Sequence, residues 1–417
     1  MPNRIFSDWI EACANVAQGS ITPPIFRKWA ALSAVAGALG RRCWYDAGEY
    51  KVRPNLYITL VAPPGHGKSV GLILPFDKVF RKLTEPLVGN RAEVEGSRLI
   101  WERYVPNPPG TPLRLVSGRV TPERLAQLMK KAEHCVLDAP GELTSAAITI
   151  KTNEFGQFMT QTNQFLQITM TEGWDAVETF EYQTKNMGDD IIHGMCLNWA
   201  AAATPSEFVA NMPANATEQG LLSRILPINY TGSKPPSQTR GLGYSDEDVE
   251  RLAEDLGQIS ALVGPFDWAP GVEENLVQPW LDAGCPPTPT DPMMKEYNAR
   301  RFSHLIKICM GISAARRSDR LITADDWNSA CEMLFEAETF MPALLRRFGM
   351  TDAGKFADDL LDFGRTNANK DGYIKASLIK REAIRLARNL SEIDTAIQML
   401  TASKQLVQEG DLYKVLI

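Results

Sequence analysis

The sequence predicts an α/β core flanked by helical segments, and three consecutive observations support this fold class. Residues 55–61 form an apolar, β-branched run that is typical of a buried strand. A glycine-rich turn follows at 62–67, and an apolar stripe then recurs at helical spacing from Val70 to Val79, interrupted by Pro75. Strand, tight turn and helix in this order indicate the alternating layout of an α/β sheet.

The turn and the two residues after it read Ala-Pro-Pro-Gly-His-Gly-Lys-Ser at positions 62–69. This is the pattern of a P-loop, a phosphate-binding turn, except that alanine stands in place of the first glycine. In such a loop, backbone N–H groups surround phosphates at a helix N-terminus. Lys68 is expected to reach the β- and γ-phosphates of a nucleoside triphosphate, and the Ser69 hydroxyl to ligate Mg²⁺. The alternative is a turn that only connects strand to helix. The residues expected to hold the triphosphate are Pro64, Gly65, His66, Gly67, Lys68, Ser69 and Val70.

The composition is that of a soluble protein of two or three domains, with 417 residues, 44% of them hydrophobic and 23% charged. The net charge of −6 argues against a protein that coats duplex DNA over a broad face, but it permits a groove with a basic lining. No apolar run approaches the roughly 18 residues of a membrane span, and the first residues lack the apolar segment of a signal peptide. The seven cysteines include no C-x-x-C pair, which favours reduced thiols over disulfides or zinc. We therefore expect no membrane partner and a cytoplasmic location.

Four domains are predicted from the hydrophobic patterns. They are an N-terminal helical collar (1–50), a P-loop core (51–240), a helical lid (241–350) and a C-terminal winged helix (351–417). The collar contains a helix from Ile25 to Leu39, which Gly40 ends. A separate partner-binding domain is the less favoured alternative there, because no linker divides this helix from the next strand. The lid contains long apolar stripes at helical spacing.

A candidate Walker B strand follows a predicted helix at 121–132. Residues 134–138 are apolar and end in Asp138, whose carboxylate is expected to hold the Mg²⁺ shell. Glu142 is the nearest acid that can polarise an attacking water. The alternative is that Glu142 stabilises the N-terminus of the next helix.

A β-hairpin is predicted between residues 177 and 192, since an alternating segment is followed by a turn and a return strand. Lys185 lies near its tip. The chain then enters a second core strand at 195–203, which ends at Thr204. Thr204 is expected to face the γ-phosphate, and it can also cap the helix that follows.

Arg224 is the one cation in the apolar stretch 220–228. Burying its charge without an anionic partner is unfavourable. A phosphate, in its own subunit or a neighbouring one, and a structural salt bridge to an acid are both open as that partner.

The winged helix is predicted from three helices followed by two short strands that flank the sequence Glu-Gly-Asp at 409–411. Lys380, Arg381 and Arg385 belong to its basic second helix and are expected to contact DNA phosphates. The third helix, by contrast, has acids near its start, which argues against sequence-specific reading of the major groove. Protein docking is the alternative role.

The stretch from Pro23 to Arg224 resembles an ATPase family of phages and mobile elements, whose members are described as primase-helicase or helicase-like replication proteins. The residues that carry the resemblance are the helix ending in Arg41 and Arg42, the segment from Pro54 to Ser69, Asp138 with Glu142, the Ala-Thr-Pro at 203–205 and the Gly-Leu-Leu-Ser-Arg at 220–224. Residues 301–334 also resemble the helical lid of such proteins.

This resemblance implies an AAA+ or RecA-like ATPase that uses ATP and Mg²⁺ and assembles as a hexameric ring. It implies single-stranded or forked DNA as substrate, replication proteins as partners, and the bacterial host cytoplasm as location for a phage protein. Lys185 would face the central channel, and Arg224 would act as a finger in the neighbouring subunit's site. The alternative from another class is an AAA+ loader or remodelling ATPase that acts on a protein and docks through the winged helix.

Overall fold

A computed structural model describes residues 4–84, 113–136, 143–159, 164–184, 188–213, 220–232, 243–386 and 390–416. It is a mixed α/β protein with a central, mostly parallel sheet. No helix among these residues is both long enough and apolar enough to cross a membrane.

The described strands and helices are numbered in chain order. The strands are β1 (Cys43–Asp46), β2 (Lys51–Val52), β3 (Tyr57–Val61), β4 (Leu115–Ser117), β5 (His134–Cys135), β6 (Thr144–Thr152), β7 (Thr179–Thr184), β8 (Gly188–His193), β9 (Met195–Ala203), β10 (Ile225–Asn229), β11 (Gly264–Trp268), β12 (Leu321–Ile322), β13 (Tyr373–Lys375), β14 (Leu406–Glu409) and β15 (Leu412–Val415). The helices are α1 (Trp9–Val16), α2 (Pro24–Leu39), α3 (Lys68–Gly71), α4 (Pro122–Ala132), α5 (Gln164–Asp175), α6 (Pro205–Asn211), α7 (Asp246–Ser260), α8 (Gln278–Asp282), α9 (Lys295–Asn298), α10 (Arg301–Arg316), α11 (Ala324–Leu345), α12 (Asp352–Asn367), α13 (Ala376–Leu386) and α14 (Leu390–Ala402).

The central sheet has the strand order β10-β3-β9-β6-β4, and all these neighbours are parallel. The predicted strands at 55–61 and 195–203 are its middle strands, and every residue of β3 and β9 is buried. Continuous apolar runs suit them because helices cover both faces of a parallel sheet. The helix after β3 continues beyond α3 as a π-helix, Ile73–Phe80, which contains Pro75.

Of the predicted Walker B segment 134–138, residues 137 and 138 lie outside the described residues. The described part does not form a parallel strand of the central sheet, because the two residues of β5 pair antiparallel with Ser145 and Thr144 at the start of β6. The parallel strand at this place in the sheet is β6 itself, which the sequence patterns missed.

The 241–350 segment is not entirely helical as predicted, because it contributes strands β11 and β12. These form a second sheet with β1 and β2, in the order β12-β11-β1-β2. One hydrophobic cluster runs from Trp9 to Leu345, so residues predicted as collar, core and lid share a single interior. Helix α2, which includes the predicted helix Ile25–Leu39, lies inside this cluster and is buried on nearly every side.

The C-terminal residues have a hydrophobic cluster of their own, from Ala357 to Val415, which we call the C-terminal cluster. Helices α12, α13 and α14 surround a small antiparallel sheet of order β13-β15-β14. The predicted order of helices and terminal strands is therefore present, with β13 added.

Candidate functional site

Four strands of the central sheet end at the same edge. Val61, the last residue of β3, lies beside Ala203 at the end of β9 and Asn229 at the end of β10. The glycine turn (residues 62–67) and Thr204 therefore emerge side by side, and β6 ends at the same edge. In open α/β sheets, ligands bind outside the carboxyl ends of strands where the strand order reverses. The chain crosses from β3 to the far strand β4, returns through β6 to β9, and then adds β10 on the other side, so β3 occupies that position.

The glycine turn has a backbone shape that only glycine adopts readily. Gly65 and Gly67 have φ angles of +82° and +68°. A Cβ on Gly67 would lie 2.6 Å from the carbonyl oxygen of Ile21. The Thr22 hydroxyl donates a hydrogen bond to the Gly67 carbonyl at 3.0 Å. The residues before α2 thus brace the turn from outside, and a side chain at position 67 would displace it.

The ammonium of Lys68 is held inside the turn. Its Nζ donates to the carbonyl oxygens of Ala62 at 2.7 Å and Pro63 at 2.8 Å. Burial lowers the pKa of Lys68 to about 8, and the carboxylate of Glu207 acts in the opposite direction. The turn therefore concentrates one positive charge among backbone groups, which is an arrangement suited to an anion.

We expect ATP affinity to fall as pH rises through about 8. Only the ammonium form of Lys68 attracts phosphate, and burial lowers its pKa in the free chain to about 8. At pH 9 about a tenth of the chains carry that charge, so affinity should be about tenfold weaker than at pH 7. Calorimetric titrations at the two pH values measure this. Lys68→Arg is the control, because a guanidinium stays charged throughout; an equal loss in that variant would contradict the assignment.

Ser69 connects the turn to the end of β6. Its hydroxyl donates to the backbone carbonyl of Asn153 at 3.2 Å. Asn153 and Glu154 directly follow β6, and the exposed Glu154 carboxylate accepts a hydrogen bond from Gln157 at 2.7 Å. An acid therefore lies next to the residue that contacts the Ser69 hydroxyl. The sequence patterns did not single out Glu154, although the β-branched content of 144–152 was a signal for a strand ending there.

Thr204 caps α6, as one of its two predicted roles required. Its hydroxyl accepts the Glu207 N–H at 3.2 Å, while its own N–H donates to the Glu207 carboxylate at 3.3 Å. That carboxylate also accepts the Gly156 N–H at 3.0 Å. Glu207, which the sequence reasoning did not select, therefore ties the ends of β9 and β6 together.

The side chain of His66 braces the turn. It is fully buried, with Nδ1 lying 3.1 Å from the Pro63 carbonyl oxygen and 3.3 Å from that of Pro64. Its ring packs edge to face against Tyr230, and burial lowers the pKa of the imidazole. The side chain of Val70, by contrast, is exposed at the start of the helix.

Three predicted site residues, Asp138, Glu142 and Lys185, lie outside the described residues. Segments flanking the two acids are described: the Val136 N–H donates to the Leu143 carbonyl at 2.8 Å, at the amino end of β6. Ser69 contacts Asn153 at the opposite end of this nine-residue strand, about 26 Å away at about 3.3 Å per residue. The predicted hairpin around Lys185 is present as β7 and β8, which pair from Thr179 with His193 to Thr184 with Gly188.

Arg224 lies at the opposite end of the central sheet from the glycine turn. It directly precedes β10, whose first residue pairs with the first residue of β3, whereas the glycine turn follows the last residue of β3. Of its two open roles, the salt bridge is the one observed within this chain. Its Nη2 lies 2.6 Å from the Asp175 carboxylate, and Nη1 donates to the Gly220 carbonyl at 2.8 Å. The guanidinium also lies over the Trp174 ring. Within this chain Arg224 therefore makes the structural salt bridge, and it does not contact the chain's own glycine turn.

The three basic residues selected in the C-terminal segment all lie on the exposed side of α13. Lys380 and Arg381 face solvent, whereas Arg385 pairs with Glu382, its Nε donating to the carboxylate at 2.8 Å. The structure thus brings Lys68, Ser69 and Thr204 together at one sheet edge, and it places Arg224 elsewhere.

No family model matches the sequence, and no curated protein matches it significantly.

Proposed function

We propose that the chain is an ATPase that couples hydrolysis to movement along DNA, as a ring-forming helicase or translocase in the replication of a phage or mobile element. One observation carries the ATPase part. A glycine turn with two positive φ angles encloses the Lys68 ammonium at the switch point of a parallel sheet. This combination supports triphosphate binding because backbone N–H groups, a helix N-terminus and a fixed cation act on the same anion.

Each group at the sheet edge has a role in this proposal. The backbone N–H groups of residues 64–70 would surround the phosphates, and Lys68 would neutralise charge on the γ-phosphate. The Ser69 hydroxyl would ligate Mg²⁺, which supplies further neutralisation of the phosphate oxygens. Thr204 would orient the γ-phosphate from the end of β9.

Glu154 is the residue proposed to polarise the attacking water. Its support is the Ser69 contact with Asn153, which brings the end of β6 to the glycine turn. Glu142 is the competing candidate for this role. It is less favoured because β5, the strand that precedes it, pairs with the start of β6 and not with the end near Ser69.

In the proposed ring, Arg224 of one subunit would contact the ATP bound to the neighbouring subunit. Guanidinium groups bind carboxylates and phosphates with the same fork geometry. A neighbouring subunit's γ-phosphate would therefore replace Asp175 as the partner of Arg224. The AAA+ or RecA-like assignment and the hexameric state are part of this proposal, and they derive from the family resemblance.

DNA contact is proposed at two places. Lys185, between β7 and β8, would contact the backbone of single-stranded or forked DNA in the ring channel. The exposed basic residues Lys380, Arg381 and Arg385 on α13 would contact phosphates from a winged helix.

A second candidate is an AAA+ loader or remodelling ATPase with a protein substrate. The observation that favours it is apolar exposure beside those basic residues: Ile384 is 64% exposed and Leu386 is 36% exposed. Exposed apolar side chains on a basic helix suit a protein partner as well as a polyanion.

DNA stimulation separates the two candidates. We expect single-stranded DNA to raise ATP turnover severalfold, and Lys185→Ala to lose that increase because the proposed grip on the phosphate backbone is gone. Steady-state phosphate release with and without DNA measures this. Lys28→Ala is the matched control, since it removes a lysine whose only described partner is the surface acid Glu11. If DNA does not change the ATP turnover of the parent chain, the remodelling ATPase is the favoured candidate.

A further inference from the structure

Three cationic side chains surround Trp174 at the end of α5. The guanidinium carbons of Arg224 and Arg300 lie 5.6 and 5.7 Å from the Trp174 ring centroid, and the Lys307 ammonium lies 4.1 Å from it. Among the described residues, the one carboxylate that contacts these cations is Asp175, at 2.6 Å from Arg224 and 3.7 Å from Arg300. The Lys307 ammonium donates instead to two backbone carbonyls and one amide oxygen. The group therefore carries excess positive charge.

Two further cations lie beside the next acid along the chain. Arg41 and Arg53 share the carboxylate of Glu178, at 2.6 and 3.8 Å. Glu178 directly precedes strand β7, and α5 ends three residues before it. Two described carboxylates therefore contact five cations at the base of the β7–β8 hairpin, and a surplus of this sign attracts polyanions.

Arg300 is the cation of this group that solvent reaches. Its side chain is 32% exposed, whereas the other four cations are buried. Its Nε donates to the Ser223 hydroxyl at 3.1 Å, which fixes the direction of the side chain. Asp175 lies closer to Arg224, with contacts at 2.6 and 3.3 Å, so the charge of Arg300 is less fully neutralised. Arg300 can therefore bind an anion from outside the chain while Arg224 keeps its carboxylate.

An exposed aromatic ring lies in the same region. Tyr50, in the turn between β1 and β2, is 58% exposed. Burial lowers the pKa of Arg300, and the nearby Tyr50 hydroxyl is among the groups that act in the opposite direction. The same turn carries Lys51 and two acids, Asp46 and Glu49, so the surplus cations come from the hairpin base and not from this turn. A cation beside an exposed ring suits a nucleic acid, because guanidiniums bind phosphates while bases stack on aromatic side chains.

The hairpin places Arg300 at a defined distance from Lys185. Strand β7 runs for six residues, Thr179–Thr184, and Lys185 follows it. A strand of that length extends about 20 Å at about 3.3 Å per residue. Glu181 is exposed within β7, so phosphates are favoured at the two ends of the hairpin rather than along it. Such a span corresponds to several nucleotides, which agrees with the roughly 4–16 nucleotides that single-strand-binding domains cover.

We propose that Arg300, supported by the buried cations at the hairpin base, binds a phosphate of single-stranded DNA, and that Tyr50 stacks on a base beside it. The inference rests on the proposed DNA substrate and adds a third DNA contact to the two proposed above. It does not use Arg224. A strand that contacts Lys185 at one end of the hairpin then reaches Arg300 at the other.

The test is the salt dependence of single-stranded DNA binding by the full chain, measured as fluorescence anisotropy of a labelled oligonucleotide of about 16 nucleotides. Arg300→Gln removes the charge and keeps a donor for Ser223, whereas Arg300→Lys keeps the charge. Tyr50→Ala removes the ring. Arg346→Gln is the control, because it removes the same charge from an exposed arginine that has its own carboxylate, Asp291, at 2.8 Å. Thermal unfolding of each variant shows that it is folded.

We expect the slope of log K against log salt concentration to be smaller by about 0.7 in Arg300→Gln, the contribution of one phosphate contact on a single strand. Arg300→Lys and Arg346→Gln should keep the parent slope. Tyr50→Ala should keep the slope but bind about tenfold more weakly, because a stacked base is lost.

An unchanged slope in Arg300→Gln, or an equal decrease in Arg346→Gln, would overturn this inference and leave the proposed function standing, provided that the parent binds DNA. Unchanged affinity in Tyr50→Ala would overturn the stacking contact. A parent chain that binds no single-stranded DNA would overturn the DNA part of the proposed function together with this inference.

Discussion

Replacing Lys68 with alanine should reduce ATP turnover by about 10²–10³-fold, the loss expected when one fixed electrostatic group is removed from a transition state. The ammonium lies within 2.8 Å of two turn carbonyls and has no rival cation in the glycine turn. Its removal leaves the backbone N–H groups in place, so residual binding is expected while hydrolysis is lost. Steady-state phosphate release under saturating ATP measures the effect.

The control for this variant is Lys151→Ala. Lys151 also lies in the central sheet, but its ammonium pairs with Asp77 rather than with the turn. It should lose some stability, because Asp77 then keeps only its longer contact with Arg81, at 3.5 Å, yet keep turnover when folded. Turnover lost equally in both variants would mean that damage to the sheet, not a missing phosphate contact, explains the result.

Replacing Glu154 with glutamine should reduce turnover by about 10²–10⁴-fold, the range for removal of a general base. Glutamine keeps the shape and can still contact Gln157, but it cannot accept a proton from water. ATP should therefore bind with unchanged affinity while the burst of phosphate release disappears. Single-turnover kinetics with titrations on the same samples separates chemistry from binding.

Glu142→Gln provides the matched comparison for Glu154→Gln. Both changes remove one carboxylate, but the described residue that follows Glu142, Leu143, lies at the amino end of β6, whereas Glu154 follows the carboxyl end of β6. Turnover lost in Glu142→Gln and retained in Glu154→Gln would transfer the base to Glu142 and contradict the proposal that the base follows β6.

The sequence alone was sufficient to predict the structure of segments whose conformation depends mainly on their own residues. The glycine turn is such a case, because Gly65 and Gly67 adopt positive φ angles that other residues avoid. The apolar strand before it and the 195–203 strand were also predictable, since strands buried on both faces are apolar throughout.

Strand β6 shows why the remainder was not predictable. Its nine residues include Lys151 and several threonines, so the segment does not read as a buried run. Lys151 becomes tolerable only through Asp77, which is remote in sequence. The Walker B pattern was consequently assigned to the more apolar 134–138, and Glu154 was overlooked.

Arg224 illustrates a second limit of local reading. Its apolar surroundings correctly indicated that it requires an anionic partner. Which anion it contacts depends on the fold, because α5 brings Asp175 to it from 49 residues away in sequence. The cavity of about 710 Å³ between the central sheet and the C-terminal cluster depends on the fold in the same way, since its walls come from residues at the ends of β3, β9 and β10 and from residues beyond position 342.

The most direct measurement is a calorimetric titration of ATP into the purified parent chain and into Lys68→Ala at pH 7. We expect saturable binding by the parent, with one ATP per chain, and an affinity at least about tenfold weaker in Lys68→Ala. A parent chain that releases no binding heat, or a Lys68→Ala chain that binds as tightly as the parent, would contradict the claim that the glycine turn is a triphosphate site.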